Sequence, residues 1–234
     1  MKVLQRLRRW LGYLCAILFA AVVLTQLWFF GHILYWSHYS VGQTSFMAQR
    51  LDQLRAQRPA AELKYRWVDY SRISNHLKRA VIAAEDAKFI DHEGFDWDGI
   101  QRAIERNQRK GRFVAGGSTI SQQLAKNLFL SGQRSMWRKG QEAVITLMLE
   151  AAMDKRRILE LYLNVAEWGE GMFGAEAAAR HYYGVSAAQL NSEQAARLAA
   201  MLPRPRYYDR NRGSRYLAAY SSRIHARMGA ATIP

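Results

Sequence analysis

Three patterns of hydrophobic and polar positions divide the chain. The first is unbroken. Leu11 to Trp36 runs for 26 residues without Asp, Glu, Lys or Arg. As a helix it would be about 39 Å long, more than the ~30 Å hydrocarbon core of a bilayer requires. Trp10, Trp28, Tyr35 and Trp36 sit near its ends, as interfacial aromatics do, and Lys2, Arg6, Arg8 and Arg9 precede it. The pattern predicts a basic cytoplasmic tail (residues 1–10) and a retained transmembrane helix (residues 11–36), with Ser37–Pro234 outside. A cleaved signal peptide is the alternative. Its apolar region is ordinarily shorter and is followed by a small-residue cleavage site, which is not evident here.

The second pattern is weak and mixed. Residues 37–72 read as a stalk, with an amphipathic helix over Phe46–Gln57 that ends before Pro59 and a weakly alternating, extended stretch over 63–70. From Ser74 onward the third pattern, a helical period, takes over. Ser74 is placed to cap a helix running to about Ile90. Asp96 caps one to about Lys110, ended by Gly111. Ser118, after Gly116-Gly117, caps one to about Leu130. Further helices are expected over about Ser135–Met153, Asp154–Ala166, Glu176–Tyr182, from Asn191 to Pro203, and over Ser214–Met228. Glu167–Gly174, with three glycines, is expected to be a loop. The class is all-α: one domain over 73–234 behind one N-terminal span, with no repeats.

The pattern breaks at one informative place. On a helical wheel Leu77, Val81, Ile82, Ala84 and Phe89 form an apolar arc, and Glu85 falls inside it with Asp86 at its edge. A carboxylate facing a core is costly unless it is paired, or unless its pKa rises and it works as an acid or base. Periodicity leaves both readings open: a Glu satisfied by an Arg, or a catalytic group.

Charge narrows the choice. The chain carries a net +15, and beyond Trp36 there are 30 basic against 19 acidic residues. That excess suits a polyanionic partner: nucleic acid, an anionic membrane or a phosphorylated substrate. The single cysteine, Cys15, excludes an internal disulfide. There is no zinc spacing, Walker loop or Gly-x-Gly-x-x-Gly, and the aromatics are scattered rather than laid out as a platform for bases.

Two helices carry further candidates. After Gly117, Ile120, Leu124 and Leu128 form an apolar stripe, while Ser118, Thr119, Gln122, Gln123 and Lys126 share the other side. A solvated face usually carries Glu, Lys and Arg; hydroxyls, carboxamides and one cation suit sugars and a phosphate, and the helix start could receive an anion. In the next helix Arg138 and Lys139 precede Glu142 by one turn, the less favourable order for a surface pair, and Leu149 and Met153 share Glu142's side. A second buried carboxylate beside two cations reads as a charged cleft. His92, alone near a loop, reads as structural.

These residues carry a resemblance. Glu85-Asp86-x-x-Phe89-x-x-His92-x-Gly94 resembles the first signature of the peptidoglycan glycosyltransferases, the polymerising domain of class A penicillin-binding proteins. Gly116 to Asn127 (GGSTISQQLAKN) resembles the second, Arg138-Lys139-x-x-Glu142 the third, and Lys155-x-x-Ile158-Leu159-Glu160-x-Tyr162-Leu163-Asn164 the fourth. Ala178-Ala179-x-x-Tyr182-Tyr183-Gly184 resembles the fifth, with Tyr183 where Phe is common. The match covers about Ile73 to Pro205 in order. Glu167-Trp168-Gly169-Glu170-Gly171 is similar to the single-domain branch, and no transpeptidase domain follows, so the chain looks monofunctional.

The resemblance implies a lysozyme-like, two-lobed domain with a membrane-dipping jaw, to which Phe113 and Val114 would belong. It implies lipid II as substrate and the growing glycan strand as donor. Glu85 would be the general base that deprotonates the acceptor 4-hydroxyl for inverting attack on the donor anomeric carbon. Glu142 would orient or stabilise the donor side. Lys126, Arg138 and Lys139 would hold the pyrophosphate, with Arg134 and Lys155 in support, and Ser118, Thr119, Gln122 and Gln123 would bind sugar and phosphate oxygens. A divalent cation such as Mg²⁺ would assist, with Asp86 as its neighbour. The expected setting is the bacterial inner membrane with the domain in the periplasm; membrane lipid and other cell-wall synthesis proteins are the expected partners, and nucleic acid is not. Two rivals remain. A lytic transglycosylase or muramidase would share the fold and a catalytic Glu but would not need the cation cluster. A membrane-tethered polyanion binder would need neither the carboxylate in the core arc nor the neutral polar face.

Overall fold

The computed structural model describes residues 2–112, 116–130, 132 and 135–234. It falls into two compact units, residues 1–39 and 40–234. The first holds helix α1 (Lys2–Trp36), whose stretch from Gln5 to Trp36 is long and apolar enough to cross a membrane.

The second unit is mainly helical: α2 (Ser45–Arg55), α3 (Asn75–Glu85), α4 (Trp97–Lys110), α5 (Ile120–Phe129), α6 (Met136–Ala152), α7 (Lys155–Val165), α8 (Ala175–Tyr183), α9 (Ser192–Met201), α10 (Pro205–Arg210) and α11 (Arg215–Arg227). The all-α expectation holds for its bulk. Two groups of helices make the body: α3, α9 and α11 pack together, and α5 packs on both α6 and α7. Helix α7 is buried on nearly every side beyond its first turn. Everything from Ile158 to Val165 is buried, as a helix enclosed by its neighbours must be. Among the largest fully buried side chains are Trp168, Tyr162, Phe89 and Phe173.

Four boundaries differ from expectation. Helix α3 stops at Glu85 rather than near Ile90, because Asp86 leaves helical geometry (φ −160°, ψ 75°) and commits its carboxylate elsewhere. Phe89 is fully buried all the same, from a turn closed by the Phe89 amide on the Asp86 carbonyl (3.0 Å). The cap of α5 is Thr119, not Ser118: its hydroxyl accepts from the Gln122 amide while the Gln122 side chain accepts from the Thr119 amide, a reciprocal capping box.

The glycine-rich stretch after α7 is not a loop. Glu167–Gly169 (β2) pairs antiparallel with Met172–Phe173 (β3), and Lys64–Tyr65 (β1) adds to β3 in parallel, giving the order β1-β3-β2. Strands of two or three residues are too short to show alternation. Gly174 follows at φ +86°, where a Cβ would lie 2.8 Å from the Asn164 carbonyl oxygen, so glycine is required by both conformation and space.

The stalk is the fourth correction. Residues 45–72 belong to the helical body: α2 packs on α5, β1 joins the sheet, and Asn164 clasps the Val68 amide and carbonyl (both 2.9 Å). Arg50 of α2 forms a buried two-pronged pair with Glu167 of β2 (2.8 and 3.0 Å). Removing one member of such a pair leaves a buried charge uncompensated. Arg50→Ala is therefore expected to lower stability by about 3–5 kcal/mol, and Arg50→Met/Glu167→Met to recover most of it, as read by denaturant unfolding of the full chain. If Arg50→Ala shifts the unfolding midpoint no further than Arg58→Ala at an exposed position, α2 is not held by this pair.

Candidate active site

The sequence from Glu85 to Ser118 places two elements end to end. Helix α3 finishes at Glu85. The next carboxylate, on Asp86, is only 7% exposed and accepts the Ile120 amide at the start of α5 (3.0 Å) and His92 Nε2 (2.9 Å). One acidic side chain thus joins the C-terminus of α3 to the N-terminus of α5, where an anion is favoured. Thr119 strengthens the junction by donating its hydroxyl to the Gly94 carbonyl (2.7 Å). His92, read as structural, is the partner that holds Asp86.

The junction sets Glu85 against α5. Gln123 donates its side-chain N–H to Glu85 Oε2 (2.7 Å), and the Tyr162 hydroxyl of α7 donates to Gln123 Oε1 (3.0 Å). Glu85 keeps part of its surface open while being enclosed by protein. Burial pushes its carboxyl above the usual range and the nearby Asp86 adds to this; the Gln123 hydrogen bond and the Lys126 charge pull it back. The result is a carboxylate more basic than an ordinary Glu, as a proton acceptor needs.

The cations gather one turn along. Lys126 lies within the electrostatic reach of both Glu142 and Glu85, and makes no direct ion pair among the described residues. Its burial lowers its pKa, partly offset by those two carboxylates. On α6, Arg138 donates to Glu142 Oε2 (3.0 Å) and Lys139 to Glu142 Oε1. Both oxygens of the buried Glu142 are engaged, so Glu142 aims the two cations rather than moving protons. Arg138 Nε is buried without a partner among the described residues. Lys126, without an ion pair among the described residues, and Arg138 and Lys139 line one cleft, an arrangement that suits an anion.

The cleft has two lobes. One, of about 900 Å³, is lined by Ser118, Gln122, Gln123, Lys126, Arg138, Lys139 and Glu142 on one side and by Phe46 and Arg50 on the other. A second, of about 590 Å³, shares Phe46, Arg50, Gln123, Lys126 and Arg206 with the first and extends along Tyr162, Arg204, Tyr207 and Arg210. Gln123 and Lys126 stand where the lobes meet.

The structure therefore brings Glu85, Glu142, Ser118, Gln122, Gln123, Lys126, Arg138 and Lys139 to one place. Others fall elsewhere. Thr119 is buried and spent on capping, so it is not free to bind sugar. Gln122 reaches the cleft wall, but its carbonyl oxygen belongs to the capping box. Lys155 does not join the cations: it pairs with Glu150 (2.8 Å) and lies over the Phe89 ring (4.8 Å). Arg134, Phe113 and Val114 lie outside the described residues. Residues that sequence reasoning passed over are Arg50, Tyr162 and Arg206. Tyr162 gave no separate signal, lying within a run of largely apolar residues on α7.

Comparison with known proteins is consistent with this geometry. A family model described as "Transglycosylase" matches residues 51–229. The chain belongs to the transglycosylase family. A curated protein of Dechloromonas aromatica (strain RCB), named "Biosynthetic peptidoglycan transglycosylase", is 63% identical over 228 residues, covering 97% of this chain and 99% of that one. Proteins of the same name from Laribacter hongkongensis (strain HLHK9) and Janthinobacterium sp. (strain Marseille) are 60% and 58% identical over 226 and 234 residues, covering 97% and 100% of this chain and 99% and 100% of theirs.

A divalent cation fits this transglycosylase site poorly at Asp86. Its oxygens already serve His92 and the Ile120 amide, and no group of three or more His, Cys, Asp or Glu able to hold a metal exists among the described residues.

The raised pKa of Glu85 has a thermodynamic consequence. Below the unfolded-state value of about 4.3 both states carry the proton and the site costs nothing. As pH rises, the unfolded chain ionises first, and the native state loses stability until its own carboxyl ionises. Glu85→Gln is therefore expected to be more stable than wild type at pH 7, with the gain vanishing towards pH 4. Thermal unfolding across that range measures it; a gain that persists unchanged at pH 4 would show that Glu85's desolvation is not its source.

Proposed function

We propose that the chain polymerises lipid II into glycan strands by an inverting displacement at this cleft. The observation that carries the reading is the hydrogen bond by which Gln123, on the cleft wall beside Lys126, holds the carboxylate of Glu85 (2.7 Å). The acceptor 4-hydroxyl oxygen attacks the donor anomeric carbon, its proton passes to Glu85, and the bond from that carbon to the diphosphate oxygen breaks. The leaving undecaprenyl diphosphate takes up the electron pair beside Lys126, Arg138 and Lys139, whose fixed charges stabilise it as it forms. Glu142 keeps Arg138 and Lys139 aimed. Ser118 and the free amide of Gln122 serve the sugar and phosphate oxygens.

The lytic reading is set aside. Cleavage of glycan expels no diphosphate and has no use for three converging cations, and the matched relatives carry the name of a biosynthetic enzyme. The apolar helix α1 supports a single-pass anchor at the inner membrane. The basic residues before it support an inside N-terminus and a periplasmic domain, which is where a lipid-linked substrate is presented. Protease reaching the domain from outside intact spheroplasts tests that orientation.

With labelled lipid II as substrate, Lys126→Ala and Arg138→Ala are each expected to lose about 2–4 kcal/mol of transition-state stabilisation, and Glu85→Gln to slow polymerisation at least ~10²-fold. Preformed glycan, run in parallel, should release no sugars. Release of sugars by the wild type without polymer from lipid II would replace this reading with the lytic one.

A further inference from the structure

We infer that Tyr162 is a positioning residue, whose buried phenol fixes the side-chain amide of Gln123 so that Gln123 holds one oxygen of Glu85 and leaves the other to take the proton. The inference rests on Glu85 being the base.

Hydrogen-bond capacity fixes the orientation of the Gln123 amide. An ionised Glu85 only accepts, so Gln123 must turn its N–H₂ towards it. That leaves Gln123 Oε1 pointing away, and Oε1 needs a donor. The Tyr162 hydroxyl supplies it at 3.0 Å. Tyr162 is 1% exposed, and burial together with the Glu85 and Asp86 charges keeps its hydroxyl protonated and therefore a donor at working pH. The chain Tyr162 to Gln123 to Glu85 thus has one direction.

This assigns the two oxygens of Glu85 different work. Oε2 is occupied by Gln123, and Oε1 has no partner among the described residues. Oε1 is thus the atom left to receive the acceptor's proton. The charged and titratable groups that act on the carboxylate come from each neighbouring element: Asp86 at the end of its own helix, Lys126 from α5, Tyr162 from α7, and Tyr220 from α11, which donates to the Ala84 carbonyl (3.3 Å). None of the other three contacts Gln123 Oε1. Without the phenol the amide is free to rotate and present oxygen to oxygen, which repels Glu85 from its place.

The reading also revises the part given to Gln123. As a sugar ligand it would affect how tightly lipid II binds; as Glu85's holder it affects how fast bound substrate reacts.

Tyr162→Phe, which keeps the ring and deletes the hydroxyl, is the decisive variant, assayed in the full chain with lipid II. It is expected to lower kcat about tenfold with KM within twofold of wild type, the size of one lost hydrogen bond to the positioning amide. Gln123→Ala should lower kcat at least as far, again without raising KM. The double variant should fall no further than Gln123→Ala alone, because both deletions remove the same link. An unchanged kcat in Tyr162→Phe overturns the inference, as does a double variant whose losses multiply. If Tyr162→Phe does not fold, Gln123→Ala decides: a raised KM with unchanged kcat overturns the inference, and a lowered kcat with unchanged KM supports it. Glu85→Gln in the same assay separates the two levels. A Glu85→Gln enzyme at wild-type rate ends both the base assignment and this inference, whereas an inactive Glu85→Gln beside an unaffected Tyr162→Phe ends this inference alone.

Discussion

Asp86 occupies the point on which the site depends. It is the residue at which α3 stops, and its carboxylate closes on the first amide of α5 and on His92. A buried carboxylate needs donors, and the exposed N–H groups of a helix start supply them. The consequence is geometric. With α3 and α5 joined there, Glu85 lies one residue from the junction and can reach only the side of α5 that carries Gln123 and Lys126. The Glu85 carboxylate is placed by its neighbour's hydrogen bonds.

Charge is distributed on the same plan. Glu142 has both oxygens engaged by Arg138 and Lys139, Glu150 takes Lys155, and Glu167 takes Arg50. Each of these acids is buried or nearly so, and each is answered. Lys126 on the cleft wall makes no ion pair among the described residues, and Glu85 is met by an amide rather than by a charge. Full ion pairing would have held Glu85 ionised and weakly basic, and would have neutralised Lys126. Leaving both short of a partner costs stability and keeps both reactive.

Much of this was legible from the chain. Glu85 on an apolar arc, Glu142 beside two cations, and Lys126 on a face of hydroxyls and carboxamides were readable from helical spacing, because each is a departure from an otherwise regular pattern. What was not legible depended on contacts far apart in sequence. Thr119 looked like a ligand because a capping box and a sugar-binding face use the same residue types. Lys155 looked like a member of the cation cluster because spacing does not show that Glu150 intercepts it. The short strands around Gly169 carried no alternation, and the supposed stalk was tied to the body by Arg50 and Asn164 through partners more than 90 positions away. Tyr162 was hidden among the apolar residues of α7, where its hydroxyl is the one feature that matters.

The central claim is that Glu85 is a carboxyl held above its ordinary pKa, with Lys126 restraining the rise. Carbon-13 NMR titration of the full chain labelled at glutamate carboxyls tests it most directly, with Glu85→Gln identifying the resonance. The account predicts a midpoint above the usual value of about 4.3, moving higher still in Lys126→Met, where the restraining charge is gone. A Glu85 midpoint at the ordinary value, unmoved by Lys126→Met, would contradict it.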